Sequence, residues 1–229
     1  ELCLVLTAGM ATIASSVLGF YASILKGQFP TIAGHLMSAS ILSAPAAILM
    51  SKLILPETEQ PATLGKDLKP CYEKESSLTE AIINGANAGL KLVGGIIALL
   101  LAFLGLMALL DMVFTGLGGK LNLLAGLHID WSLKGILGYL FYPFTLAIGV
   151  PVQDAWKISQ IIGERTIVTE MKSYQDLAVL LSSNTLVHPG RSALLAVYAL
   201  CGFAHVASLA IFVGGTAALV PERTRDISS

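Results

Sequence analysis

Ala193 to Val220 reads ALLAVYALCGFAHVASLAIFVGGTAALV and carries no formally charged side chain. A spanning helix needs about 20 mostly apolar residues, so this run is long enough to cross a bilayer. Gly202, His205 and Ser208 interrupt its middle, and Gly214-Gly215 follow. A helix that only anchors a protein needs none of these. A membrane helix that handles a polar solute needs hydrogen-bonding groups and a backbone that can open.

Outward from this run the whole chain reads as membrane protein. Apolar residues make up 55% and charged residues 13%, and mean hydropathy is +0.76; a soluble domain is typically about 25% charged. Four further segments qualify as spans by length: Leu2–Leu25, Ile32–Leu55, Leu92–Leu110 and Gly135–Val152. Lys52 lies near a segment end, where it can snorkel. Five such runs predict an all-α polytopic membrane protein rather than a soluble domain with buried core helices. Net charge is −1, which gives no basic field for nucleic acid. Cys3, Cys71 and Cys201 are scattered and lack metal or redox spacing. No GxSxG, HExxH or phosphate-cradling glycine loop is present, so no enzyme is expected.

Punctuation places the connections. Gly27-Gln28-Phe29-Pro30 separates the first two runs. Residues 56–77 form one long polar loop with Pro56, Pro61 and Pro70 among acids and lysines. Ser77 followed by Glu80 predicts a capping box opening a helix from about Leu78 to Leu110. Its amphipathic first half (Asn84, Asn87 and Lys91 against Ile82, Ile83 and Leu90) predicts a stretch along the interface before the span. Lysines and arginines are spread too evenly among the loops to set orientation. The chain has no initiator Met, opens inside an apolar run and ends in PERTRDISS, so a piece of a longer polypeptide is expected.

Two regions leave alternatives open. In GILGYLFYPFTLAIG and the residues after it, Pro151 lacks an N–H and disfavours helix at Val150. The region is either a full span ending at the interface or a re-entrant hairpin whose tip is enclosed by protein or water. Glu170, in Arg165–Leu181, is either on a surface helix and paired with a nearby cation, or a functional membrane carboxylate. Thr12, Ser15 and Ser16 read first as close-packing residues. His205 reads equally as a packing residue and as a solute contact or proton carrier. His35, His128 and His188, near segment ends or in loops, read as structural or solvated. Carriers place solutes at the midplane between interrupted helices. Ala8–Tyr21 and Cys201–Gly215 share such a grammar: glycine, a small polar cluster, then apolar residues and glycine.

Several stretches together resemble the concentrative nucleoside transporter family. They are Gly9-Met10-Ala11-Thr12-Ile13-Ala14-Ser15-Ser16-Val17-Leu18, Ser43-Ala44-Pro45-Ala46, Leu55-Pro56-Glu57-Thr58-Glu59, Asn84-Gly85-Ala86, Gly149-Val150-Pro151 and Tyr198-Ala199-Leu200-Cys201-Gly202-Phe203-Ala204. The order holds from end to end, as in that family's carboxy-terminal transport domain. The resemblance implies a cation-coupled nucleoside carrier of the cell membrane, sodium- or sometimes proton-driven, and a homotrimer when whole. It implies transport-core helices forming a partial inverted repeat: a first broken helix and span over 1–55, the loop at 56–77, a long interfacial and spanning helix with its connector over 78–134, a re-entrant hairpin over 135–164, and a second broken helix with ligand-facing residues over 165–229. An upstream hairpin, with a Gln-Thr-Glu cluster for the nucleobase, would precede this chain.

The resemblance also implies roles. Thr12 and Ile13 would form half of a sodium site, and Val17 would border the nucleobase. Gly149, Pro151 and Gln153 would mark the hairpin tip. Glu170 would accept ribose hydroxyls, as a carboxylate can from both members of a diol. Phe203, His205 and Ser208 would line the ribose side. No cofactor is implied beyond sodium as the coupling ion. Three departures stand out: the family usually has Asn at the position of His205, Asn-Glu-Phe and a small or apolar residue where this chain has Thr169-Glu170-Met171-Lys172, and a bulky residue at Val152. Asn donates and accepts without titrating; histidine does both only when neutral and in one tautomer at a time. A different substrate or a pH dependence is therefore expected. A second function class, a gating or sensing protein that binds a ligand without moving it, remains beside the carrier.

Overall fold

The computed structural model describes residues 2–56, 58, 65, 75–126, 128–203, 205, 206, 208, 211, 212, 214, 215 and 225, and side chains from residue 7 onward. Among the described residues every regular element is an α-helix: α1 (Leu2–Ala11), α2 (Ser15–Leu25), α3 (Ile32–Ile54), α4 (Leu78–Ala125), α5 (Leu133–Ala147), α6 (Val152–Arg165), α7 (Glu170–Ser182) and α8 (Pro189–Leu200). Residues 206, 208, 211, 212, 214 and 215 are helical again beyond a break after α8. Most of the polar loop at 56–77 lies outside the described residues.

α4 begins where the capping box predicts. Ser77 is extended, and its hydroxyl accepts the Glu80 N–H at 3.1 Å. The reciprocal contact shifts by one residue, with Glu80 accepting from the backbone N–H of Ser76 at 3.3 Å. The helix does not stop near Leu110. It continues through Asp111 to a left-handed cap at Gly126 (φ 63°). Asp111 does not end it because its carboxylate accepts the Leu133 N–H at 2.8 Å, from the start of α5. With 48 residues, α4 is about 72 Å long, more than twice the hydrocarbon thickness.

Among the described residues, three of the five predicted spans fall in helices long and apolar enough to cross a membrane: Thr7–Leu25 counted across its break, Ile32–Ile54, and Leu78–Ala125; much of the fifth, Ala193–Val220, lies outside the described residues. Gly135–Val152 falls in α5 and the turn after it. α5 has 15 residues, about 22 Å, too short for the bilayer core. The chain turns at Gly149 (φ 94°), and α6 runs back antiparallel. Glycines allow the close approach: a Cβ on Gly163 would stand 2.8 Å from the Leu137 carbonyl carbon, and one on Gly138 would stand 2.8 Å from Gln160 Cγ. Residues 135–165 are thus a helical hairpin.

One apolar cluster holds the fold together. Tyr21 and Leu25 of α2, Ile32 and Leu36 of α3, Ala155, Ile158 and Ile161 of α6, Tyr174 and Leu177 of α7, and Ala196, Val197 and Leu200 of α8 are buried in it. The cluster gathers both interrupted helices around the α6–α7 corner. Large apolar side chains on α3 and α4, such as Met37, Ile41, Leu53, Leu90 and Leu101, stay exposed, as lipid- or partner-facing surfaces do.

Candidate functional site

Two chain breaks meet. α1 stops at Ala11 and α2 starts at Ser15, leaving residues 12–14 unwound. α8 stops at Leu200; Cys201 is extended, and Gly202 takes φ 116°. The Phe203 N–H donates to the Met10 carbonyl at 2.8 Å, joining the second break to the last turn of α1. Gly202 is required twice over. Its φ favours glycine, and a Cβ there would lie 3.3 Å from the Ala11 carbonyl oxygen.

A helix end leaves carbonyls without intrahelical partners, and buried ones need donors. At the end of α1, Ser43 Oγ of α3 lies 2.7 Å from the Ala11 carbonyl. At the end of α8, Arg165 supplies them. This side chain, 9% exposed, donates from Nη1 to Ala199 O at 2.6 Å and from Nη2 to Gly202 O at 2.7 Å. Its cation also complements the negative end of the helix dipole.

The helix restarts with a reciprocal cap. The His205 N–H donates to Ser208 Oγ at 3.0 Å, and the Ser208 N–H donates to His205 Nδ1 at 2.9 Å. The Ser208 hydroxyl lies 2.8 Å from Phe203 O and 2.7 Å from His205 O, so it donates within the same turn. Because Nδ1 accepts, the neutral ring carries its proton on Nε2. The Phe203 ring stands edge-on to the imidazole, with centroids 5.1 Å apart.

Glu170 opens α7, where the positive end of the helix dipole favours a carboxylate. It is 5% exposed, so the surface-helix reading does not hold. Oε1 accepts from the Tyr21 hydroxyl at 2.6 Å. Oε2 lies 2.8 Å from His205 Nε2. The two side chains pair with each other, both buried. Lys172, the departure beside Glu170, turns away and pairs with Asp176 one turn on. Lys134 bridges Asp176 and Glu164 at 2.6 Å each, tying α5, α6 and α7 together outside the site.

The predicted residues therefore divide. Glu170, His205, Ser208 and Phe203 come together at the second break. Thr12 is exposed in the first break, and the Ile13 N–H donates to Ser40 Oγ at 3.4 Å. Val17 is half-buried one helical turn before Tyr21, on the same face of α2. The hairpin tip makes its contacts elsewhere. Gln153 is exposed and Pro151 half-buried, and the Gly149 carbonyl accepts from Arg191 Nε at 3.1 Å. Asp154, fully buried, accepts from the N–H groups of Val187 (2.7 Å) and His188 (2.9 Å) and from Ser192 Oγ (2.6 Å), stapling the hairpin to the start of α8. Tyr21, Arg165 and Asp154 were not singled out by sequence. A lone arginine or aspartate beside an apolar run was the available signal, since such a residue must find partners inside the protein.

Relatives share this architecture. Residues 35–229 match the family model described as Na+ dependent nucleoside transporter C-terminus. The chain is 37% identical over 241 residues to mouse (Mus musculus) solute carrier family 28 member 3, covering all of this chain and 33% of that protein. It is 32% identical to mouse sodium/nucleoside cotransporter 1, covering all of this chain and 36% of that protein. A solved structure of a substituted CNTnw in an outward-facing state aligns with TM-score 0.79 and 31% identity, over 99% of this chain and 51% of that one. The chain thus spans about a third of the length of these curated relatives. By sequence and by fold, it belongs to the sodium-dependent nucleoside transporter family and corresponds to that family's carboxy-terminal part.

Proposed function

We propose that this chain is the carboxy-terminal portion of a secondary carrier that moves nucleosides, or close analogues, with sodium as the coupling ion by alternating access. The observation that carries the reading is the buried pair of Glu170 and His205, with Oε2 and Nε2 2.8 Å apart, where two interrupted helices meet. A carboxylate and an imidazole N–H side by side can accept from and donate to a sugar hydroxyl.

In this reading Glu170, His205 and Phe203 face the ribose, and Ser208 holds His205 in place. Val17 borders the nucleobase. Thr12 and Ile13 provide part of the sodium site, because an unwound backbone and a threonine hydroxyl offer hard oxygen ligands to a cation. The hairpin over 135–164 is re-entrant, with Gly149, Pro151 and Gln153 at its tip, and the stretches 1–55, 56–77, 78–134 and 165–229 are the other functional units. The whole protein assembles as a homotrimer in a lipid bilayer, consistent with the exposed apolar faces of α3 and α4.

The test is uptake by the full-length protein in sealed vesicles. Radiolabelled uridine and adenosine should accumulate above the external concentration under an inward sodium gradient, and the accumulation should collapse when sodium is equalised. Binding without accumulation would favour a sensor; accumulation that follows a proton gradient alone would replace the coupling ion.

A further inference from the structure

The two breaks are satisfied by different chemistry. At the end of α1 the donors are neutral: the Phe203 N–H to Met10 O at 2.8 Å and the Ser43 hydroxyl to Ala11 O at 2.7 Å. At the second break the donor is a cation. Arg165 Nη1 and Nη2 reach the carbonyls of Ala199 and Gly202 at 2.6 and 2.7 Å. The next residue completes the clamp, for the Thr166 carbonyl accepts the Val206 N–H at 3.0 Å. Arg165 and Thr166 thus hold the break from both sides. Gly202 leaves the room: a Cβ there would stand 3.4 Å from Arg165 Nη2. A guanidinium keeps its charge on burial, so this cation is always present.

We propose that Arg165 is a built-in cation that does at the second break what a mobile ion does at the first, so that only the first break answers to the coupling ion. This rests on the sodium reading above. Interrupting a helix inside a protein turns unpaired carbonyl oxygens and the negative end of a helix dipole toward one place. A cation there offsets both. At the first break, residues 12–14 leave that place to an ion from solution, and Thr12 is exposed to it. At the second, the charge comes from the last residue of α6. Arg165 is then a positioning residue: its charge keeps Phe203 and His205 in register whether or not sodium is bound. Donors alone would not require a charge. A glutamine amide has two N–H groups and could serve two carbonyls while neutral, which separates the two roles.

The experiment is hydrogen exchange of the purified full-length protein in sodium chloride or in choline chloride of equal ionic strength. In the wild type, sodium at about ten times its half-saturating concentration should slow exchange at 10–14 about tenfold and leave 198–201 within about twofold. In Arg165→Ala, exchange at 198–201 should be about tenfold faster in choline. Guanidinium chloride, well below denaturing concentrations, should reverse that and restore uridine uptake in vesicles. Arg165→Gln should resemble Arg165→Ala in choline, whereas Arg165→Lys should stay indifferent to added cations at 198–201. Arg165→Gln that matches the wild type in both salts overturns the proposal, because donors without charge then suffice. So does Arg165→Ala that guanidinium does not rescue. If Arg165→Ala does not reach the membrane, the Gln and Lys variants decide between them. Sodium that slows both breaks equally in the wild type overturns this proposal alone. Sodium that alters neither overturns the sodium reading and this proposal with it.

Discussion

Phe203 donates its backbone N–H to the Met10 carbonyl at 2.8 Å, bonding the break after α8 to the last turn of α1, just before the break at residues 12–14. The end of α1 and the break after α8 are thus one hydrogen-bonded unit.

Arg165 should be indispensable to that unit. It holds the carbonyls of Ala199 and Gly202 at 2.6 and 2.7 Å. Arg165→Ala strands both and should lower uptake at least tenfold, with a stability loss of about 2–4 kcal/mol. Arg165→Lys should fall between, because an ammonium lacks the planar fork that spans two acceptors. Uptake and thermal unfolding of purified protein in detergent check both.

His205→Asn should separate ligand contact from helix capping. Asparagine is a strong N-cap, so stability should stay near wild type, while His205→Ala should lose about 1 kcal/mol. Selectivity should change in the Asn variant, since an amide presents an acceptor as well as a donor. Affinities across a nucleoside panel check this; unchanged affinities would remove His205 from the substrate contacts.

Asp154→Asn should loosen the hairpin from α8. The carboxylate takes three donors, from Val187, His188 and Ser192. The amide nitrogen cannot accept, so one or more buried donors go unsatisfied at about 1–3 kcal/mol each. Hydrogen exchange should speed up at 185–192 and around the tip at 149–153, with little change in α4.

Two glycines should behave oppositely when replaced by alanine. A Cβ on Gly163 would meet the Leu137 backbone at 2.8 Å, and a backbone does not yield; Gly163→Ala should destabilise by about 1–3 kcal/mol. Gly190 has nothing within 4 Å of its would-be Cβ, so Gly190→Ala should be neutral or stabilising by up to about 1 kcal/mol. Melting temperatures of the two variants provide the comparison.

Much of the architecture was legible because it follows from local chemistry. Apolar runs long enough to span, the Ser77–Glu80 cap, the turn at Gly149–Pro151 and the break at Gly202 depend on residues within a few positions of one another. The misread elements were those decided at a distance. Asp111 looked like the end of a span, yet its carboxylate is satisfied by Leu133 and α4 runs on past it. Glu170 could be read as a surface carboxylate paired with a nearby cation; the fold turns it inward to Tyr21 and His205, while Lys172 pairs with Asp176.

By itself the sequence determined an all-helical membrane chain with interrupted helices and picked out Glu170, Phe203, His205 and Ser208, which the fold brings together, since hydropathy, proline and glycine act locally and motif order survives in the linear chain. Only the tertiary structure decided which groups meet there. Tyr21, 149 residues from Glu170, donates to one carboxylate oxygen, and the Ser208 N–H donates to one imidazole nitrogen. Hydrogen-bonding capacity is spent by whichever partner the fold brings within about 3 Å, and that proximity is a property of packing rather than of sequence spacing.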